Sequence, residues 1–221
     1  DCHYGSKNRG QFVTHAMMAA GHPRVSFELD LISSLQQHHD EDDDYRSRKG
    51  RMNSVRFWAV GQAEAVKRST GLFTDPTYGM EGAFPQFLSA SRDFHKAMGG
   101  ASGNEARAAA MALSRRAGAL SNALSQRAYA NADAFKVIDM ISGRATNARF
   151  TDYSGSVQAV MAIDTLLNAL VRQGRVTVAA AAGIRANINK AYQAVEEPNA
   201  YRPAQFRVAL ASASTAIGRL R

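Results

Sequence analysis

The sequence predicts an all-α protein, with a loop-rich N-terminal part followed by an antiparallel helical bundle. Three observations favour this fold class. Apolar residues recur every three or four positions over most of the second half of the chain, as they do along one face of a helix. No segment of useful length alternates with strand periodicity, and glycine and polar residues are frequent near the start. The pair Gly99-Gly100 separates the two patterns, so we place a boundary between domains 1–100 and 101–221 there.

Helices are expected at four places in the first domain. Residues 12–20 form a short apolar stretch that suits about two turns. Pro23 is favourable in a first helical turn, and apolar residues then recur at helical spacing as far as His39. A further helix is predicted from residue 54 to about residue 69, and a shorter one ends at Met98.

The second domain is predicted to contain about four or five helices. Its first helix begins with the capping-box pattern of Ser102 and Glu105. A shorter segment, 135–141, is also helical in pattern, and Gly174 and Pro198 separate later helices. Small core residues suit helices that approach closely in an antiparallel bundle. Four apolar stripes define the faces turned to the core: Leu113, Ala117, Leu120 and Leu124; Val160, Ile163, Leu167 and Leu170; Ile184, Ile188, Ala191 and Val195; Phe206, Leu210, Ala213, Ile217 and Leu220.

The basic excess of the chain belongs to the second domain. The chain has 27 Lys and Arg against 19 Asp and Glu, a formal net charge of +8. Residues 1–100 hold 12 of each sign, whereas residues 101–221 hold 15 basic and 7 acidic side chains. A basic domain without His or Cys is expected to dock an acidic protein partner or copies of itself. It lacks a basic helix interleaved with exposed aromatics, so we expect no nucleic-acid partner.

Several other classes of protein are disfavoured by missing patterns. No apolar run approaches the roughly 18 residues of a membrane span. Neither Gly-X-Ser-X-Gly, nor His-Glu-X-X-His, nor a nucleotide-binding glycine motif occurs, so no side-chain catalytic constellation is predicted. The acidic run Asp40–Asp44 lacks the glycine and terminal glutamate of an EF-hand loop, and we interpret it as a solvated loop.

The dipeptide Cys2-His3 is the first sign of a cofactor. It matches the end of a Cys-X-X-Cys-His motif, which attaches c-type haem because two sulfurs meet the vinyl groups while the adjacent His ligates the iron. A surface Cys beside a surface His would look the same. The chain starts without Met, a basic region or an apolar region, so we expect any signal peptide to be removed or to lie upstream.

A longer segment is more specific than this dipeptide. Residues 14–29 read THAMMAAGHPRVSFEL, which resembles the segment after a haem-attachment motif in the multihaem cytochromes c related to hydroxylamine-oxidising cytochromes. Supporting similarities are FWAVGQA at 57–63 and FPQF at 84–87. The resemblance covers roughly residues 1–98. It implies haem c as cofactor, electron transfer as function, and an exported protein that is periplasmic or extracellular.

The resemblance also implies roles for individual residues. Cys2 would attach a haem covalently, either with a partner cysteine just upstream of Asp1, which we favour, or through a single thioether. His3 would be the proximal iron ligand. His22 and His15 are then expected to be distal ligands, because a low-spin electron-transfer haem takes a second strong axial ligand. Without the resemblance, each of these histidines also fits a core or capping role.

Two further residues are candidates for the haem environment. Arg24 is expected to clamp a haem propionate through two parallel hydrogen bonds, and an ordinary surface arginine is the alternative. His39, like its neighbour His38, is a candidate iron ligand, although a helix end next to five acids also stabilises a protonated imidazole. The chain departs from the family at residues 91–95, SRDFH, where relatives carry another haem-attachment motif. Without both cysteines, covalent attachment at that point should be lost, which leaves His95 as a relic of the motif, a distal ligand or a surface residue.

These observations predict an electron carrier rather than an enzyme. Electrons would pass through c-type haems to other redox proteins or to copies of the chain, within a larger assembly or filament. One alternative is a subunit of a multihaem oxidoreductase. The other is a haem-free, basic helical module for interaction or assembly.

Overall fold

The computed structural model describes residues 54–73, 103–128, 131–146 and 153–221, with single positions at 17, 19–21 and 31. These parts are almost wholly helical, and no strand occurs in them, so the all-α class is confirmed. The predicted boundary at Gly99-Gly100 and the predicted helix that ends at Met98 lie outside the described residues. Of the two helices predicted before residue 54, only those single positions are described. The helices are α1 (Ser54–Phe73), α2 (Gly103–Gln126), α3 (Asn131–Thr146), α4 (Tyr153–Arg172), α5 (Val178–Gln193) and α6 (Pro203–Gly218), with a 3-10 helix at Pro198–Ala200.

The described helices belong to two compact units. The first unit contains residues 59–73 and 103–126, and the second contains residues 54–58 and 127–221. The border between the units therefore falls inside α1. Helix α2 belongs with the later part of α1, whereas the predicted domains group α2 with the bundle. The division at residue 100 remains a prediction, since residues 74–102 lie outside the described ranges.

In the second unit, helices α3 to α6 pack around one apolar core. Helix α4 lies at its centre, because residues 159–167 are all buried and α4 contacts α3, α5 and α6. The connections from α4 to α5 and from α5 to α6 are short, so these neighbours are antiparallel. The stripes predicted on these helices face the core: buried Val160, Ile163, Leu167, Leu170, Ile188, Ala191, Val195, Phe206, Leu210, Ala213 and Ile217, with Ile184 and Leu220 partly buried.

Burial of these side chains is the main source of stability in the bundle. Full burial of one Leu, Ile or Phe side chain contributes about 1.5–3 kcal/mol relative to exposure. The predicted segment 135–141 also supplies core residues, since Phe135 and Ile138 on α3 are 6% and 1% exposed. The periodic apolar pattern therefore accounts for both the helices and the faces that they bury.

The turn between α4 and α5 has a sequence suited to its backbone. Gly174 adopts a φ of 68°, a left-handed conformation that glycine reaches without a Cβ penalty. The N–H of Arg175 donates to the carbonyl oxygen of Leu170 at 2.9 Å and closes the end of α4. The hydroxyl of Thr177 accepts from the N–H of Ala180 at 3.1 Å and caps the start of α5. Gly174 thus separates two helices, as predicted.

The connection between α5 and α6 is held against α4 by an aromatic side chain. Pro198 starts the 3-10 helix, and Pro203 occupies the first turn of α6, where its missing N–H costs nothing. Between them, the Tyr201 hydroxyl hydrogen-bonds the Ser156 hydroxyl at 2.6 Å. The Tyr201 ring also meets Tyr153 edge to face at 5.7 Å between centroids.

In the first unit, α1 and α2 meet through polar and small residues. The Ser114 hydroxyl donates to the carbonyl oxygen of Lys67 at 3.0 Å. A Cβ at Gly118 would lie 3.4 Å from the Lys67 side chain. Burial by itself raises the pKa of Glu64, but hydrogen bonds from Ser121 and Lys67 outweigh that effect and hold the pKa below its usual value. The predicted helix at 54–69 is confirmed and continues to Phe73.

Leu120 departs from its predicted position. The stripe expected on α2 includes Leu120, yet its side chain is 53% exposed. Ala117 of the same stripe is buried, as predicted, and the other buried residues among the described side chains of α2 are Ala110 and Ser121. Their spacings of seven and four keep the three on one helical face. Ser121 therefore takes the inward position, where its hydroxyl helps to lower the pKa of Glu64. Leu120 is the more apolar of these two adjacent residues, yet it is exposed. Ser121 is buried in its place because Glu64 on α1 provides a polar neighbour.

Candidate functional site

The residues predicted to bind haem lie outside the described residues: Cys2, His3, His15, His22, Arg24 and His39. The acidic run Asp40–Asp44 lies outside them too. Trp58 is described, and it packs against the core of the second unit, as an ordinary core residue does. Within the described ranges, no three His, Cys, Asp or Glu side chains gather as metal ligands do. The polar clusters, groove and charged surface that the structure does describe lie in helices α3 to α6.

Asp164 is the only charged side chain in the buried class among the described residues. It projects from the middle of α4, and its side chain is 3% exposed. Arg185 of α5 donates through both Nη atoms to the two carboxylate oxygens, at 2.5 and 3.1 Å. Tyr192 donates its hydroxyl to Oδ2 at 3.1 Å, and Asn168 donates from Nδ2 to Oδ1 at 3.4 Å. The carboxylate therefore accepts four hydrogen bonds from two helices.

This network joins α4 to α5 and occupies both oxygens of the Asp164 carboxylate. The hydrogen bond to Asp164 raises the pKa of Arg185, so the guanidinium stays charged beside it. Both carboxylate oxygens of Asp164 are occupied by donors, which disfavours a role as general base or metal ligand. A signal for the network does exist in the sequence, because Asp164 interrupts the apolar stripe of α4. Apolar periodicity does not by itself reveal the partners of Asp164, since Arg185 and Tyr192 lie 21 and 28 residues away.

A groove of about 390 Å³ runs between α5 and α6. Asn187 Nδ2 donates to the Ser212 hydroxyl at 3.0 Å and links its two walls. The lining has hydroxyl groups but no carboxylate or imidazole to activate them, so it does not form a nucleophilic site. Small and polar residues predominate in the lining: Gly183, Ile184, Asn187, Ser212, Thr215, Ala216, Arg219 and Leu220.

The same end of the bundle presents a set of cations. Helix α4 ends here, α5 begins here, and α6 ends here, because α5 and α6 are antiparallel and Arg219, just past the end of α6, lines the groove with Gly183 in the first half of α5. Arg221 extends the set to α3, where it pairs with Asp139 and lies 5.3 Å from the centroid of the Phe135 ring. We define the basic end by its exposed cations: Lys136, Arg172, Arg175, Arg219 and Arg221.

The described acids at this end do not neutralise it. Asp133 pairs with Arg127 at 3.5 Å, and Asp139 pairs with Arg221. No described acidic side chain lies within ion-pair distance of three exposed cations: Lys136, Arg175 and Arg219. Among the described residues, the basic end therefore carries more positive than negative charge, which favours contact with anionic groups.

No protein-family model, curated protein or solved structure matches this chain. None of the helices that the structure describes has the length and apolar character to cross a bilayer. The function of the chain is therefore inferred from its own residues.

Proposed function

We propose that the chain is part of an exported multihaem c-type cytochrome that transfers electrons. The observation that carries the proposal is the segment 14–29, THAMMAAGHPRVSFEL, downstream of Cys2-His3. Haem, when bound, supplies one-electron redox chemistry. The chain offers it a thiol for attachment, imidazoles as iron ligands and a guanidinium for a propionate: Cys2; His3, His15, His22 and His39; and Arg24.

The bundle fits this proposal as a docking and assembly element. Its buried carboxylate joins α4 to α5 through hydrogen bonds at both oxygens, and its groove is lined mainly by small and polar side chains. Its exposed cations suit recognition of an acidic redox partner or of another copy of the chain. The chain is then an electron carrier whose second half selects its neighbours.

Covalent haem is tested by a pyridine haemochrome spectrum together with the intact mass. Protein should be produced in an exporting host that attaches c-type haem, as wild type and as Cys2→Ala. We expect a c-type spectrum and a haem mass increment in the wild type. Cys2→Ala should lose one haem, because it lacks a sulfur for the thioether bond. Lys190→Ala, which changes an exposed side chain on α5, is the matched control and should retain every haem.

An apoprotein mass without a Soret band would refute the cytochrome proposal for this chain. An unchanged haem count in Cys2→Ala would refute the attachment site. His22→Ala adds a test of ligation, since loss of a distal imidazole shifts the low-spin spectrum while leaving the covalent mass increment in place.

A haem-free interaction module is the second candidate. The observation that favours it is the basic end, with three exposed cations that have no acidic partner among the described residues. A colourless, helical protein that binds an acidic polypeptide at low salt would support this candidate over the first.

A further inference from the structure

We propose that the basic end docks the acidic run Asp40–Asp44 of a second copy of the chain, so that copies associate head to tail. This inference rests on the interaction role proposed above for the bundle, and it requires no haem.

Charge complementarity is the first argument. The run Asp40–Asp44 contains five consecutive acids, the densest negative segment of the sequence. The basic end presents five exposed cations, and the described acids leave three of them unpaired. One exposed ion pair contributes at most about 1 kcal/mol, so several pairs formed together are needed for stable docking. The acidic run of one copy and the basic end of another can form several ion pairs at once, which satisfies that requirement.

The fold gathers these cations at one end of the bundle. Arg172 and Arg175 flank the turn that joins α4 to α5. Arg219 lies on the groove beside Ile184, in the first half of α5, so the end of α6 is next to the start of α5. Arg221 then reaches α3 beside Phe135. The cations are scattered in sequence, but together they form one surface.

The groove beside the basic end suits an extended peptide. Its walls combine small side chains with hydroxyl and amide groups, among them Gly183, Ser212 and Thr215. Such groups satisfy the backbone N–H and C=O of a docked segment. Arg219 lines the same groove and presents its guanidinium to carboxylates. An acidic segment therefore finds partners for both its backbone and its side chains.

The contact joins two different sets of residues of the same chain. Because the acidic run of one copy meets the basic end of another, the interface is heterologous, and it generates a ring or an open filament rather than a closed symmetric pair. Exposed ionic contacts are also weakened by added salt. Association should therefore grow with concentration and disappear at high ionic strength.

The test is sedimentation velocity of the full chain at about 50 mM and about 500 mM salt. Arg175→Glu/Arg219→Glu reverses two cations of the basic end. Lys190→Glu/Arg202→Glu is the matched control, since it reverses two exposed cations at the opposite end of α5 and the start of α6. At low salt we expect the wild type and the control to associate alike, and the basic-end variant to bind about tenfold more weakly or worse.

A complementation experiment distinguishes loss of the contact from misfolding of a variant. Asp42→Lys/Asp43→Lys should also fail to associate alone. Mixing it with Arg175→Glu/Arg219→Glu should restore association, because the first variant keeps an intact basic end and the second keeps an intact acidic run. If the reversed arginines prevent folding, as judged by helical circular dichroism, Arg175→Gln/Arg219→Gln replaces them and should show a smaller loss in the same direction.

Three outcomes would overturn the proposal: a wild type that stays monomeric at low salt, an equal loss in the control, or no recovery on mixing. The haem spectrum of each sample separates this inference from the cytochrome proposal. Haem-free protein that associates as described would support the contact between copies but not the cytochrome proposal. Haem-containing protein that stays monomeric would refute the contact but not the cytochrome proposal.

Discussion

At the scale of single residues, Asp164 shows how the bundle accommodates a charge in its core. A carboxylate with 3% exposure loses most of its hydration, which costs several kcal/mol unless partners replace the water. Arg185 supplies a two-pronged contact while remaining 45% exposed, so its own hydration is partly retained. Tyr192 and Asn168 complete the set. Since the donors come from α4 and α5, the network fixes how these helices align.

Arg185→Met should lower the free energy of unfolding by about 2–4 kcal/mol. The change keeps the aliphatic part of the side chain but leaves the Asp164 charge buried without its cation. The loss is smaller than for a wholly buried pair because Arg185 is half exposed. Urea unfolding followed by circular dichroism measures it. Arg175→Met is the matched control and should change stability by less than about 0.5 kcal/mol. Equal losses in the two variants would contradict the role assigned to the ion pair.

At the scale of elements, the turn between α4 and α5 depends on one backbone conformation. Gly174 has a φ of 68°, and the hydrogen bonds that end α4 form around it. Any L-residue with a Cβ is strained there, even though no atom within 4 Å would touch that Cβ. Gly143, in contrast, lies within α3 with an ordinary helical backbone and open space around it.

The same substitution should therefore have opposite effects at these two glycines. Gly174→Ala should destabilise the second unit by about 1 kcal/mol through the left-handed backbone. Gly143→Ala should stabilise it by about 0.5–1 kcal/mol, because alanine restricts the unfolded chain and favours the helix. Thermal unfolding of both variants beside the wild type measures the difference. A gain at Gly174, or a loss at Gly143, would show that the local backbone does not decide these effects.

At the scale of the whole molecule, the core of the bundle includes residues from outside helices α3 to α6. Val55, at the start of α1, is 1% exposed and belongs to the same core cluster as residues of α3 to α6. Trp58 packs against that cluster one turn later. Folding of the second unit therefore brings together residues 54–58 and 127–221 and closes the intervening chain into a loop. The entropy lost on closing such a loop grows only slowly with its length.

Val55→Ala should lower the stability of the second unit by about 1–3 kcal/mol, since it removes two buried methyl groups and leaves a cavity. Val208→Ala is the matched control, because Val208 lies on α6 with 72% exposure. The control should be neutral or slightly stabilising. Urea unfolding of both variants gives the comparison. A neutral Val55→Ala would mean that residues 127–221 form the core without help from α1.

The sequence by itself determined the helical class, the faces of α4, α5 and α6, and the turn at Gly174. These features are local, because the 3.6-residue period and the freedom of glycine are properties of a few neighbouring residues. It also located the excess of positive charge in the second half. The haem ligands remain predictions from the sequence alone, since they lie outside the described residues.

Only the tertiary structure decided the rest. Tertiary packing brings Arg185 and Tyr192 within hydrogen-bonding distance of Asp164. It leaves Leu120 exposed and Ser121 buried, and it places Val55 in the core of the bundle. It also gathered scattered arginines into the basic end. These outcomes depend on which helices pack together and at what rotation, and residues far apart in sequence carry no local signal of that choice.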